Sequence, residues 1–264
     1  MTRFLREHWP EYLCEALELC LFMISAGFFT ILLAHPSSPV RHAIGDPFLR
    51  RMLIGLAMGC TAIALVFSPL GKRSGAHFNP AVTLTFWRLG KVQGWDAFFY
   101  IVAQFVGGIL GVMVVAWFVR DALADGTVNF VATLPGPHGV GVAFLAELVI
   151  AFLLMTVVLQ VSNTPHLARY TGIFAGCLVA TFITFEAPFS GMSMNPARTF
   201  ASACVGHLWT ALWIYFTAPV IAMQLAAALY LSRKREVYCA KYHHHNGARC
   251  IFNCRFPELA QREL

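Results

Sequence analysis

Two Asn-Pro-Ala triplets carry the most specific chemistry in this 264-residue chain, at Asn79-Pro80-Ala81 and Asn195-Pro196-Ala197. An asparagine followed by a proline suits the start of a helix. Proline fits the first turn, where its missing N–H would lack a partner in any case, and the asparagine oxygen caps that turn. The side-chain NH₂ of each asparagine is then free to act as a donor into a lumen. If the two helix starts meet, two fixed donors and two positive helix ends share one place. Such a place accepts the oxygen of a neutral molecule and repels a proton or a metal cation. Reading the triplets as ordinary caps of buried, kinked helices accounts for each one but not for the repeat.

Other residues could do chemistry as well. Arg198 follows Asn195 by about one turn inside an apolar stretch, where a guanidinium is costly and functional by default. The bland alternative is an arginine paired with a buried carboxylate. Glu15 and Glu147 are carboxylates inside apolar runs, and Glu18 competes for the first position. His77 stands two residues before Asn79. It reads as a neutral, hydrogen-bonded imidazole, with gating by protonation as the functional alternative. An intramembrane enzyme would need His77 aligned with the hydroxyl of Ser74 or Ser193, and the duplicated triplet would serve no purpose in it. No catalytic residue and no cofactor are therefore expected. The tail holds Cys239, His243, His244, His245, Cys250 and Cys254. These could bind a soft or borderline metal or a thiophilic metalloid, although their spacing fits no standard zinc module. The other reading is an unstructured anchor or regulatory tail, and no metal is assigned from sequence.

The elements that position these residues follow from composition. The chain is 58% hydrophobic and 12% charged, with a mean hydropathy of +0.65, whereas soluble domains carry about 25% charged residues. Several segments are apolar on every face, so their solvent is lipid. Six runs are long enough to span a bilayer, at about 13–34, 50–70, 95–119, 140–162, 168–188 and 209–231. Glu15 and Glu18 interrupt the first run, which argues against a cleavable signal. Two shorter apolar stretches, about 76–88 and 190–205, contain the triplets and read as half-membrane segments. This gives an N-terminal cytoplasmic segment (1–12), a channel domain (13–231, with repeats at about 13–119 and 140–231) and a Cys/His-containing cytoplasmic tail (232–264). Of 19 Lys and Arg residues, Arg198 lies within the membrane and Arg41, Arg50, Arg51 and Arg120 fall on one side. The remainder share the side of both termini, so the positive-inside rule places both in the cytoplasm of a multi-pass cell-membrane protein. The net charge of +6 forms no basic patch interleaved with aromatics, which argues against nucleic acid. Gly107-x₃-Gly111 and Gly172-x₃-Gly176 suit close helix crossings. Cys14, Cys20, Cys60, Cys177 and Cys204 lie in apolar runs as small hydrophobes, not as a disulfide framework.

The half-membrane stretches also match each other. Ser74-Gly75-Ala76-His77-Phe78-Asn79-Pro80-Ala81-Val82-Thr83 aligns with Ser190-Gly191-Met192-Ser193-Met194-Asn195-Pro196-Ala197-Arg198-Thr199, at an offset of 116 residues. Each lies between the second and third spans of its half, and an odd number of spans inverts the second half. With Tyr100-Ile101-Val102-Ala103-Gln104 in the third span, these motifs resemble those of the aquaporin and glycerol-facilitator family (major intrinsic proteins) over residues 11–231. The resemblance implies an all-α membrane protein of six transmembrane helices and two half-membrane helices in an inverted repeat. It also implies passive flow of water or small neutral solutes, with protons and ions excluded, through each subunit of a homotetramer in the lipid bilayer. Glu15 and Glu147 would brace the half-helix loops, and Arg198 would lie on the extracellular side of the pore centre.

Counting from the triplets in family terms places Gly59, Ile183 and Met192 beside Arg198 in the outer filter. Strict water channels usually put a large aromatic and a histidine at the first two places. Their absence here implies a wider, more apolar constriction, partly refilled by flexible Met192. Polyols, urea-like solutes, ammonia or neutral metalloid hydroxides then join water as candidates. Thr199, Ala203 and the pair Tyr215-Phe216 instead resemble the water-channel branch, so the permeant stays open. An alternating-access transporter would need an acid in the narrow part to couple an ion, and Glu186, at the outer end of the fifth span, comes nearest.

Overall fold

A computed structural model describes residues 1–244 and 249–261. The described residues form helices and loops with no strand. Six helices are long and apolar enough to cross a membrane. These are the first span (Thr2–Ala34), second (Pro47–Phe67), third (Gly94–Ala124), fourth (Val140–Ser162), fifth (Thr171–Phe185, entered through a 3₁₀ turn at Pro165–Tyr170) and sixth (Trp213–Ser232). Two shorter helices start at the triplets, Pro80–Arg88 and Pro196–Gly206. Asp46 caps the second span, accepting from Phe48 N–H, with Pro47 in the first turn. The first helix begins at Thr2 and runs on through Pro10, so residues 2–12 are continuous with the first span. Its early turns are anchored by side chains. His8 Nδ1 lies 2.7 Å from Asp96, the Tyr12 hydroxyl donates to Asp96 at 2.6 Å, and Arg73 pairs with Glu11 at 3.2 Å.

The two halves pack in the same way. The first span lies on the third and the fourth on the sixth, while the second and fifth form the central contact between halves. The first half-helix packs on the sixth span and the second on the third, so each half supplies a wall for the other's half-helix. Backbones come very close at Gly107, where an added Cβ would sit 2.0 Å from the Ala16 carbonyl oxygen. Gly59 and Gly176 do the same between the second and fifth spans. Without side chains, these crossings gain contact along the backbone itself, which drives helix association in lipid. Bulky apolar residues cover the outward faces, with Trp117 86% and Phe118 77% exposed.

Candidate functional site

The two half-helices meet end to end through their capping asparagines. Asn79 Oδ1 accepts from Ala81 N–H at 2.9 Å, and Asn195 Oδ1 from Ala197 N–H at 3.0 Å. Each amide also reaches across. Asn79 Nδ2 donates to the Met194 carbonyl, and Asn195 Nδ2 to the Phe78 carbonyl, both at 2.7 Å. One N–H of each side chain thus ties the two loops together, and the other remains as a donor. Both asparagines line a single cavity of about 400 Å³. Its wall runs from Pro47, Arg50 and Thr127 near one face to Val66, His77 and Tyr242 near the other, which carries both the start of the first span and the tail.

The loops entering the half-helices repeat in conformation as well as sequence. Gly75, Ala76 and Phe78 have φ of 100°, 60° and 28°, and Gly191, Met192 and Met194 have 82°, 54° and 54°. Non-glycine residues held there cost about 1–3 kcal/mol each, so something must hold them. Glu15 accepts from His77 N–H at 2.9 Å and Phe78 N–H at 2.7 Å. Glu147 accepts from Ser193 N–H and Met194 N–H, both at 2.7 Å. Glu18 does not take this place; it accepts from the Ser74 hydroxyl at 2.8 Å. Two further braces escape a reading by motif alone. The Tyr100 hydroxyl donates to the Ser74 carbonyl at 2.7 Å, and the Tyr215 hydroxyl to the Ser190 carbonyl at 2.6 Å. Both tyrosines stand in visible sequence matches, but only the fold reveals them as equivalents.

The structure brings Ile183, Met192 and Arg198 to the cavity wall, but not Gly59. A Cβ at Gly59 would lie 2.6 Å from the Gly176 carbonyl oxygen and 2.9 Å from the Ala180 Cβ, so this position faces the fifth span. Its neighbour Met58 lines the cavity instead. Twenty residues counted back from Asn79 cross the break where the second span ends at Phe67 and a short helix restarts at Pro69. Helical phase is lost there, and one residue of error turns a side chain by about 100°. Gly59→Phe should therefore break the crossing of the second and fifth spans and yield aggregated protein on size-exclusion chromatography. Met58→Phe should elute like the parent.

Arg198 is half-buried in the wall with its Nη1 donating to the Val131 carbonyl at 2.8 Å. Its anchor is thus a loop carbonyl, not the carboxylate of the bland reading. No sequence motif marks Val131. His77 is fully hydrogen-bonded. Its Nδ1 lies 3.1 Å from Thr83 Oγ1, its Nε2 2.9 Å from the Ala240 carbonyl, and its ring stacks between Phe86 and Phe252. Neither Ser74 nor Ser193 is aligned with it. Ser74 donates to Glu18, and Ser193 donates to the Asn195 carbonyl at 2.9 Å. The hydroxyl beside the imidazole is that of Thr83, which donates to the Asn79 carbonyl at 3.2 Å.

The described part of the tail is folded against the pore's mouth rather than unstructured. Tyr242 N–H donates to the Gly75 carbonyl at 3.0 Å, and Tyr242 lines the cavity. Lys241 Nζ donates to the Lys72 and Arg249 carbonyls at 2.6 and 2.9 Å. Cys239, His244, Cys250 and Cys254 come together, whereas His243 lies against the Phe67 ring and His245 falls outside the described residues. The thiols of Cys239 and Cys250 hold Cys254 well below the usual thiol range. Burial lowers the pKa of Lys91 and of Lys241, and the negative charge of neighbouring cysteines opposes that shift in both.

Comparison with known proteins places this architecture. The family described as "Major intrinsic protein" matches residues 4–230. The probable aquaporin AqpM of Archaeoglobus fulgidus is 34% identical over 242 residues, covering 87% of this chain and 98% of that protein. The glycerol uptake facilitator protein-like 6 of Lactiplantibacillus plantarum is 35% identical over 179 residues, covering 67% of this chain and 82% of that protein. The probable aquaporin NIP-type of Nicotiana alata is 35% identical over 180 residues, covering 67% and 64%. Among solved structures, the aquaglyceroporin from Plasmodium falciparum superposes with a TM-score of 0.68 at 18% identity, over 85% of this chain and 96% of that one, a likeness of fold. With six spans, two opposed half-helices and a lined cavity between them, the chain belongs to the major intrinsic protein family, as a multi-pass membrane channel for water or small solutes and not an enzyme.

Proposed function

We propose that this channel carries water together with at least one neutral solute larger than water, and excludes protons and ions. The observation behind this reading is that Met58, Ile183 and Met192 line the cavity together with Arg198, while the aromatic rings and the imidazole in that lining belong to Phe22, His77, Phe78 and Tyr242. Water loses the dense polar lining that would favour it, while a solute with an apolar edge gains a surface to slide along. Arg198 still donates to its hydroxyl groups and repels cations, as do the positive half-helix ends at Asn79 and Asn195. Thr199 and Tyr215 weigh little on the other side. Thr199 Oγ1 lies 2.7 Å from Thr133 Oγ1, Tyr215 holds the Ser190 carbonyl, and neither lines the cavity. Both aquaporin and glycerol-facilitator names occur among the relatives, which agrees with mixed transport. The excess of Lys and Arg on the side of both termini supports a cytoplasmic placement for them. The family supports a homotetramer with a pore in each subunit.

Stopped-flow light scattering on proteoliposomes under water, glycerol and urea gradients tests the reading. Flux should be linear in the gradient for water and at least one of glycerol, urea or a neutral metalloid hydroxide. Water flow with all of these excluded would refute the wide filter. In the same assay, Arg198→Val should raise the permeability of the larger solute by about threefold or more, because it widens the constriction and removes its charge. Water flow should persist. Parental selectivity in a variant present at normal levels would show that Arg198 does not act at the constriction.

A further inference from the structure

Beyond the sixth span, the described part of the tail has almost no regular structure. Its described helix, Phe256–Gln261, is six residues long. A segment this short cannot build a core of its own and needs a staple to hold one shape. Four side chains converge where such a staple would sit. One ligand atom from each of Cys239, His244, Cys250 and Cys254 lies within 4.8 Å of all the others. The Cys239 and Cys250 sulfurs are 3.6 Å apart, and His244 Nε2 is 3.2 Å from the Cys254 sulfur. Sulfurs bound tetrahedrally at about 2.3 Å from a zinc ion stand about 3.8 Å apart. A disulfide would bring them to about 2.0 Å, and all eight cysteines are free. His244 is fixed with Nε2 toward the cluster by stacking on Phe256, at 4.2 Å and 8°, and Phe256 N–H points to the Cys254 sulfur at 3.5 Å.

We propose that Cys239, His244, Cys250 and Cys254 bind one zinc-type divalent ion that fixes the tail as a plug in the pore mouth. Three thiolates and one neutral imidazole form a closed tetrahedral set of the structural kind. The thiol protons still present leave to solvent as the ion binds. With the ion bound, the set carries one net negative charge. The pore contacts lie inside the loops that the ligands close. Between Cys239 and His244, the Ala240 carbonyl meets His77 and Tyr242 enters the cavity. Between Cys250 and Cys254, Phe252 stacks on His77 and Asn253 N–H donates to the Lys91 carbonyl at 2.9 Å. Fixing the ligands therefore fixes the plug.

The test uses the full chain, reduced and chelator-stripped, titrated with Co²⁺ and then Zn²⁺. One equivalent of cobalt should bind, with the visible bands of a tetrahedral site and sulfur-to-cobalt charge transfer, and zinc should displace it. Cys239→Ser and Cys254→Ser should each weaken zinc binding by about 100-fold or more, while Cys177→Ser, in the fifth span, should bind as the parent does. His244→Ala should shift the cobalt bands. If the reduced chain binds no cobalt, forms a Cys239–Cys250 disulfide instead, or keeps parental affinity in both serine variants, the site is overturned. The plug rests on the channel reading and has its own readout. Zinc should lower water permeability in proteoliposomes, and Tyr242→Ala should abolish that response while still binding cobalt. Zinc-independent flux in a metal-binding, conducting parent overturns the plug alone. Absence of any flux bears instead on the channel reading.

Discussion

Met58→Phe combined with Ile183→His should cut the permeability of glycerol, urea or the neutral metalloid hydroxide that the parent carries by about tenfold or more, and leave water as the main permeant. Both positions line the cavity with Arg198. The phenyl ring replaces a flexible thioether by a rigid wall, and the imidazole adds a hydrogen-bonding group where Ile183 offers none. Water can satisfy itself against a polar, narrow ring, but a carbon-bearing solute loses both space and the apolar wall it used. A tenfold change corresponds to about 1.4 kcal/mol in the barrier, a modest demand for a steric block. The assay is stopped-flow light scattering with parent and variant at matched protein content. A variant that keeps the parent's ratio of solute to water flow would show that selection occurs elsewhere along the cavity. The single change Gly59→Phe is no substitute, since its added atoms would strike the Gly176 carbonyl.

That shift from Gly59 to Met58 shows where sequence reading stops. Periodicity and length reveal six spans because lipid demands long, uniformly apolar helices. The repeat reveals the half-helices because proline and asparagine constrain the backbone locally. The bracing by Glu15 and Glu147 follows from the family resemblance, because burial alone demands donors for Glu18 in the same run just as much. Filter geometry is different. It depends on the rotation of a helix across the break between Phe67 and Pro69, which counting residues does not preserve. The anchor of Arg198 is a backbone carbonyl, at Val131, and any residue type could supply it. The tail marks a third limit. Its cysteines and histidines are visible in sequence, but their convergence needs the chain folded back onto Gly75, His77 and Lys91. Nothing in the spacing announces that Tyr242 would reach the cavity.

Glu147→Ala should abolish water flow and sharply lower thermal stability in detergent. The Glu147 carboxylate accepts from Ser193 N–H, Met194 N–H and the Ser190 hydroxyl, at 2.7, 2.7 and 2.8 Å. Truncation leaves two buried backbone N–H groups without partners, at about 1–3 kcal/mol each, so about 2–6 kcal/mol together. The loss falls on a loop that already holds Met192 and Met194 at φ of 54°, a conformation that costs about 1–3 kcal/mol per residue. Once the brace is gone, the loop can relax to relieve both penalties. Relaxation moves Met194, whose carbonyl receives the Asn79 amide, and with it the Asn195 cap. The central donors then separate, and the cavity between the half-helices loses its alignment. Glu147→Gln should fall between parent and alanine variant. Its oxygen can still serve Ser193 N–H, but its NH₂ would meet the Met194 N–H donor to donor. Glu15→Ala should behave alike on the opposite side, because it removes the acceptor of His77 N–H and Phe78 N–H. Its penalty should be increased by Gln104, whose Nε2 loses the carboxylate it donates to at 2.6 Å and keeps only Thr83 Oγ1 at 3.0 Å. Melting curves and proteoliposome water flux check the series together. Parental melting temperature and flux in Glu147→Ala would show that the strained loop is held by its packing and not by the carboxylate.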